Sequence, residues 1–273
     1  MAHAEWAARL GRMRAPVDQW MKRTSDEDPG SLKVEPGSSL AGDDRIFPSH
    51  PVSSVAWHGL LTAAEHLDFA LSALAKTQTL YPASYYTVLR AGLLGAAQTI
   101  WVLTPATRTE RQMRGLRAAA DNYNEQRKLI GALVASTPQE QQQLDETVAR
   151  MKDRLAEVAT AAVTIGCDPL KAQRLTLDAT AMVKEAAGKA LVSSHREQEY
   201  AMHLWRLGSG HAHGHAYTRQ LQINAESLTE EADGQLWART TVSLEHVGTA
   251  AAAVLLMTKK GFEMYDQRRQ NPL

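Results

Sequence analysis

The side chains best able to move protons and hold anions are concentrated in one short run, Trp205-Arg206-Leu207-Gly208-Ser209-Gly210-His211-Ala212-His213-Gly214-His215. A guanidinium stays charged at any physiological pH, while imidazole titrates near neutrality. An arginine beside histidines at alternate positions therefore has the parts of a phosphodiester-cleaving site. One imidazole would take the proton from a ribose 2′-hydroxyl, which then attacks its own phosphate. Arg206 would steady charge on the equatorial oxygens, and a second donor would protonate the leaving 5′-oxygen. Ser209 could donate a hydrogen bond to the phosphate, and the glycines would let the backbone approach it.

The same residues have plainer readings. A cation on the last turn of a helix suits the negative end of its dipole, and that alone accounts for Arg206. The histidines also fit a polar linker, or partners for exposed helix-end carbonyls. His211, His213 and His215, with His203 earlier, could alternatively ligate zinc, copper or nickel. No cysteine or carboxylate lies near them at ligand spacing, so the sequence calls for no metal and no cofactor.

The elements that must position this run read as helices. Trp6, Leu10, Met13, Val17 and Trp20 step by three and four residues, with Pro16 expected to kink or divide that first helix. From Ser25 to Pro51 the chain fills with Pro, Gly, Ser and Asp, which predicts a flexible linker or extended wrap. Leu60, Leu67, Leu71 and Leu74 mark the next helix, and Leu89, Leu93 and Trp101 the one after it. Thr107-x-x-Glu110, Thr137-Pro138-x-Glu140 and Ser194-x-x-Glu197 are helix-opening boxes. The last of these starts the helix that carries Arg206, which the glycines are expected to end near Gly208. Alternation at Arg219–Ile223 and Gln235–Val242 around Asp233-Gly234 predicts a hairpin, and a closing helix runs from about Leu244 to Tyr265.

The expectation is a mainly α fold: an antiparallel helical bundle with an irregular N-terminal arm and one short β-hairpin before the last helix. Residues 1–51 would form an N-terminal helix and linker, and 52–273 the bundle domain with its hairpin around 218–243.

Arg90, in the most apolar helix, should pair with Glu65 or Asp68. His58 and His66 lie about 12 Å apart along one helix, too far to share a metal. Arg108, Arg111, Arg114 and Arg117 step by three. That is a solvated face or a track for an RNA backbone, with Arg108 and Arg111 the substrate-binding candidates.

Composition limits the partners. Thirty basic and thirty acidic residues leave no net charge, against a protein that coats nucleic acid nonspecifically. The lone Cys167 fits a reducing cytoplasm and a buried thiol, and the longest apolar run is about half a membrane span. A cytoplasmic protein that does not enter membranes is expected. Phosphate-binding, dinucleotide, zinc-protease and serine-hydrolase motifs are all missing from the sequence.

Arg206 followed after four or six residues by histidine, near a helix end in a helical protein, resembles the signature of the HEPN superfamily. The run LRAGLLGAAQTIWVLTPATRTERQMRGLR, with His66-Leu67-Asp68, is similar to an actinobacterial group of helical proteins. The HEPN resemblance implies a metal-independent endoribonuclease of toxin or phage-defence type, with its site built across a homodimer. It assigns catalysis to Arg206 and His211, with His213 as the alternative at the longer spacing. It also implies RNA and a cognate antitoxin or partner protein as partners, and Ala-rich Gly248–Met257 offers a flat surface for a second copy. Active members commonly carry a polar residue after the arginine, where this chain has Leu207. The other class open to it is therefore a non-catalytic helical module that binds a partner protein or nucleotide.

Overall fold

The computed structural model describes residues 2–25, 29–192, 194–231 and 233–272; Asp26 to Asp28 of the expected linker lie outside them. The fold is mainly α with a small antiparallel strand pair before the last helix. In chain order the helices are α1 (Ala2–Thr24), α2 (Ser39–Asp44), α3 (Val52–Thr77), α4 (Pro82–Leu103), α5 (Arg108–Gly131) and α6 (Pro138–Thr164). They continue with α7 (Pro169–Ala172), α8 (Ala179–Ala190), α9 (His195–Ala212), α10 (Ala216–Gln220) and α11 (Leu244–Arg269).

The boxes read from sequence cap the helices they were expected to open. Thr107, Thr137 and Ser194 each accept from the backbone N–H three residues on, at 3.2 to 3.3 Å. α1 does not divide at Pro16. Met13, Val17 and Trp20 are buried on both sides of the proline, and holding that face outweighs a lost backbone hydrogen bond.

The chain forms two compact units that interleave in sequence, so the boundary between residues 51 and 52 separates neither. The first comprises Met1–Lys33, His58–Ile100 and Thr180–Glu263; the second comprises Val34–Trp57, Trp101–Ala179 and Met264–Leu273. In the first unit α1 is part of the core. Trp20 stacks on Phe262 at 5.5 Å, and Arg14 pairs with Asp68 at 2.5 Å. Leu60, Leu67, Leu89, Leu93, Leu204, Val254 and Met257 of this unit are buried as well.

In the second unit α5 and α6 run against each other, joined by the short connection after Gly131. Their core gathers Phe47, Leu116, Tyr123, Val158 and Ala162, with half-buried Cys167 packed against it. The stretch expected to be irregular supplies α2 to this unit. Asp43 on α2 is fully buried and receives Arg111 at 2.6 Å.

The hairpin is shorter than expected and closes tightly around Asp233-Gly234. Strands β1 (Thr229–Glu230) and β2 (Leu236–Trp237) pair Thr229 with Trp237 and Glu230 with Leu236. Arg219 and Gln220 instead close α10, and Ile223 keeps only an isolated bridge to Thr240. With both pairing segments exposed on each face, alternation alone did not decide which residues would pair.

Candidate functional site

α9 does not stop near Gly208; it continues through both glycines to Ala212. A Cβ on Gly208 would lie 2.5 Å from the Tyr86 carbonyl oxygen and 2.6 Å from Arg90 Cβ, while one on Gly210 would meet Tyr217 and Thr218. These glycines let α4 and α10 approach α9, so close packing outweighs their poor helix propensity. Gly214 ends the helix with φ +69. His215 N–H donates to Gly210 O at 2.9 Å and Gly214 N–H to His211 O at 3.2 Å. Those are the two bonds of a Schellman stop, and the left-handed residue suits glycine.

Continuous helix decides which site residues meet. Arg206, Ser209 and His213 are spaced i, i+3 and i+7, so they share one face within about 60°. Arg206 and His213 are exposed and Ser209 is half-buried. Among the described residues the Arg206 guanidinium makes no hydrogen bond or ion pair. Its backbone is tied down, because Tyr217 Oη donates to Arg206 O at 3.1 Å. His213, His215 and Tyr217 form a ladder of rings with successive centroids 5.9 Å apart.

His211 turns about 140° away from Arg206 and faces inward. It stacks on Tyr86 of α4, with ring centroids 5.7 Å apart and planes within 13°. Its Nε2 is out of contact with solvent and, among the described residues, has no hydrogen-bond partner. Burial, and then the charge of Arg219, hold the imidazole below its ordinary titration range. Burial pushes the Tyr86 phenol up to about 12. The structure thus puts Arg206, Ser209 and His213 on one side of the helix end, spread over about 10 Å of its axis, and turns His211 away from them.

Arg108 and Arg111 belong to the second unit. Arg111 lies on no surface track, being 3% exposed. It is held by Asp43 and donates to the Pro105 and Ala106 carbonyls at 3.0 Å. Arg108 is exposed, with Nε 3.6 Å from the Asp43 carboxylate. Arg114 also turns inward, donating to Trp101 O at 2.8 Å. The three-residue step is a mixed face, partly core.

No known protein family, curated protein or solved structure matches this chain.

The HEPN resemblance accordingly rests on Arg206 and the histidines alone. Leu207 is 5% exposed and fills core, so the residue that follows Arg206 lies off the open face. Among the described residues no group of three or more His, Cys, Asp or Glu is placed to hold a metal ion, and no helix is long and apolar enough to cross a membrane.

Sequence reasoning missed two features. Arg90 does not pair with Glu65 or Asp68; its guanidinium lies 4.1 Å from the Trp205 ring centroid, and Arg14 takes Asp68. The pair distance between α4 and α9 had no signal short of knowing that these helices touch. The second is a hollow of about 540 Å³ where α4, α9 and α11 meet, next to the Arg206 face. Tyr86, Leu204 and Ala250 form its buried floor, with Tyr200 and charged side chains around the rim. The Arg196–Tyr200 and Glu199–His203 pairs, each four residues apart on α9, were its sequence trace.

Proposed function

We propose that the protein is a HEPN-like, metal-independent endoribonuclease that works as a homodimer, with Arg206 and His213 carrying the chemistry. The observation that supports this is the single exposed face of α9 holding Arg206, Ser209 and His213. Among the described residues the guanidinium on that face is unpaired and so available to a phosphate, and the His213 imidazole beside it is exposed. His213 accepts the 2′-hydroxyl proton, and the 2′-oxygen forms a bond to phosphorus. The bond from phosphorus to the 5′-oxygen breaks, leaving a 2′,3′-cyclic phosphate. A two-fold axis across this face would bring a second copy of the histidine to protonate the departing 5′-oxygen. Arg206 and Ser209 hold the non-bridging oxygens.

His211, enclosed against Tyr86, supports the face from beneath and takes no proton from substrate. The test is cleavage of a mixed-sequence RNA by the purified protein in EDTA. Wild-type protein should yield 2′,3′-cyclic phosphate ends. Arg206→Ala and His213→Ala should each slow cleavage by about a hundredfold or more, the usual scale of a lost acid–base group. RNA left intact by wild-type protein, or cut equally by both variants, rules the reading out. Intact RNA would favour the non-catalytic binding module, in keeping with Leu207 lying in the core instead of at the site.

A further inference from the structure

The hollow between α4, α9 and α11 has a chemistry of its own. Its volume, about 540 Å³, falls within the roughly 300–1,000 Å³ of small-molecule sites. All three helices contribute from within the first unit. The rim offers two carboxylates, Glu199 and Glu245, and among the described residues neither accepts a hydrogen bond. It offers one guanidinium, Arg196, which donates to Tyr200 Oη at 3.1 Å and lies over that ring at 5.5 Å. Glu245 draws on the same guanidinium electrostatically. Arg196 is thereby held in place before any ligand arrives. Tyr86 on the floor keeps its phenol proton throughout the physiological range, so it presents a neutral ring and hydroxyl.

Carboxylates that accept no hydrogen bond ask for N–H donors, a guanidinium asks for adjacent acceptors, and the Tyr200 ring asks for a planar partner. Among the nucleobases only guanine supplies all three. Its N1–H and N2–H present two parallel donors that match the two oxygens of a carboxylate, while O6 and N7 form the acceptor pair that arginine reads bidentately. Uracil and cytosine are too small to offer both edges, and adenine lacks an acceptor at the O6 position.

Location adds a constraint. His203 on the rim and Arg206 on the open face are three residues apart on α9, about 4.5 Å along the axis. A nucleotide with its base in the hollow therefore has its phosphate within reach of Arg206.

We infer that this hollow is a guanine-recognition pocket that selects the nucleotide flanking the scissile phosphate, a specificity that rests on the ribonuclease reading above. Glu199 and Glu245 meet the Watson–Crick edge, Arg196 the opposite edge, and Tyr200 the ring.

The test has two independent arms. Calorimetric titration with GMP, AMP, CMP and UMP should show GMP binding at least about tenfold tighter than the others, the discrimination expected of one good bidentate contact. Glu245→Gln, Glu199→Gln and Arg196→Ala should each reduce that preference. Sequencing the ends of a randomised RNA after cleavage should show guanine enriched at one fixed position beside the cut. Equal binding of the four nucleotides, or no binding of any, overturns the pocket. Cleavage without base preference overturns the pocket while leaving the nuclease standing. GMP preference in a protein that leaves RNA intact does the reverse, keeping the pocket and removing the nuclease.

Discussion

His211 and Arg111 carry two of the chain's most chemically suggestive groups, and the fold turns both inward. The consequences differ because one is neutral and the other charged. The His211 imidazole titrates below its ordinary value near 6.5 because it is buried against Tyr86. Above the ordinary value the folded and unfolded chains are both neutral at this group, and its stabilising contribution is complete. As pH falls from there toward the folded value, the unfolded chain takes up the proton first and stability is lost. His211→Phe keeps a stacking ring without a titrating nitrogen. Between pH 7.5 and 5 the Tm of this variant should fall less than that of wild-type protein; an equal fall in both would show that His211 does not couple folding to protons. Arg111 is a different case. Asp43 is fully buried against it, and removing one member of such a pair typically costs about 3–5 kcal/mol. Asp43→Ala should lower urea-unfolding stability by that amount, and a loss under about 1 kcal/mol would mean the pair is not enclosed.

At the scale of elements, the decisive contact is the approach of α4 to α9 at Gly208. A methyl group there has nowhere to go, since it faces backbone on one side and the Arg90 stem on the other. Gly208→Ala improves helix propensity in isolation, yet overpacking of this kind destabilises by about 1–3 kcal/mol. The net result should be a lower Tm, together with a weaker near-ultraviolet signal from Trp205, on which Arg90 stacks; a variant more stable than wild type would show that the helices are free to separate. This position also marks how far sequence could be read. Local rules placed the helix starts, because Thr107, Thr137 and Ser194 act on N–H groups three residues away. They misjudged where α9 ends, because the partners that hold Gly208 and Gly210 in helix come from α4 and α10. The candidate site was legible as a run of residues and not as a geometry. Arg206 and the histidines were plain, but choosing His213 over His211 needed to know that the helix continues past Gly210. The guanine hollow left only paired residues four apart on α9, because Tyr86 and Glu245 reach it from distant parts of the chain.

For the whole molecule, the interleaving of the two units is what the amphipathic stripes could not disclose. Each stripe identifies a buried face but not the partner that covers it. α3, α4 and α11 each contain residues of both units, and the first 51 residues contribute to each. A fragment of residues 52–273 would lack Leu10, Val17 and Trp20 from one core and would leave Arg111 buried without Asp43. It should show no cooperative thermal transition by circular dichroism; a sharp two-state melt would mean the arm is dispensable. The same arrangement governs how the chain can fold during synthesis. The first unit needs residues up to Glu263 and the second needs those after it, so neither can close on an N-terminal portion of these residues alone. Until the residues around Glu263 emerge, apolar helix faces made earlier lack partners that cover them, an interval in which chaperones would have to shield them.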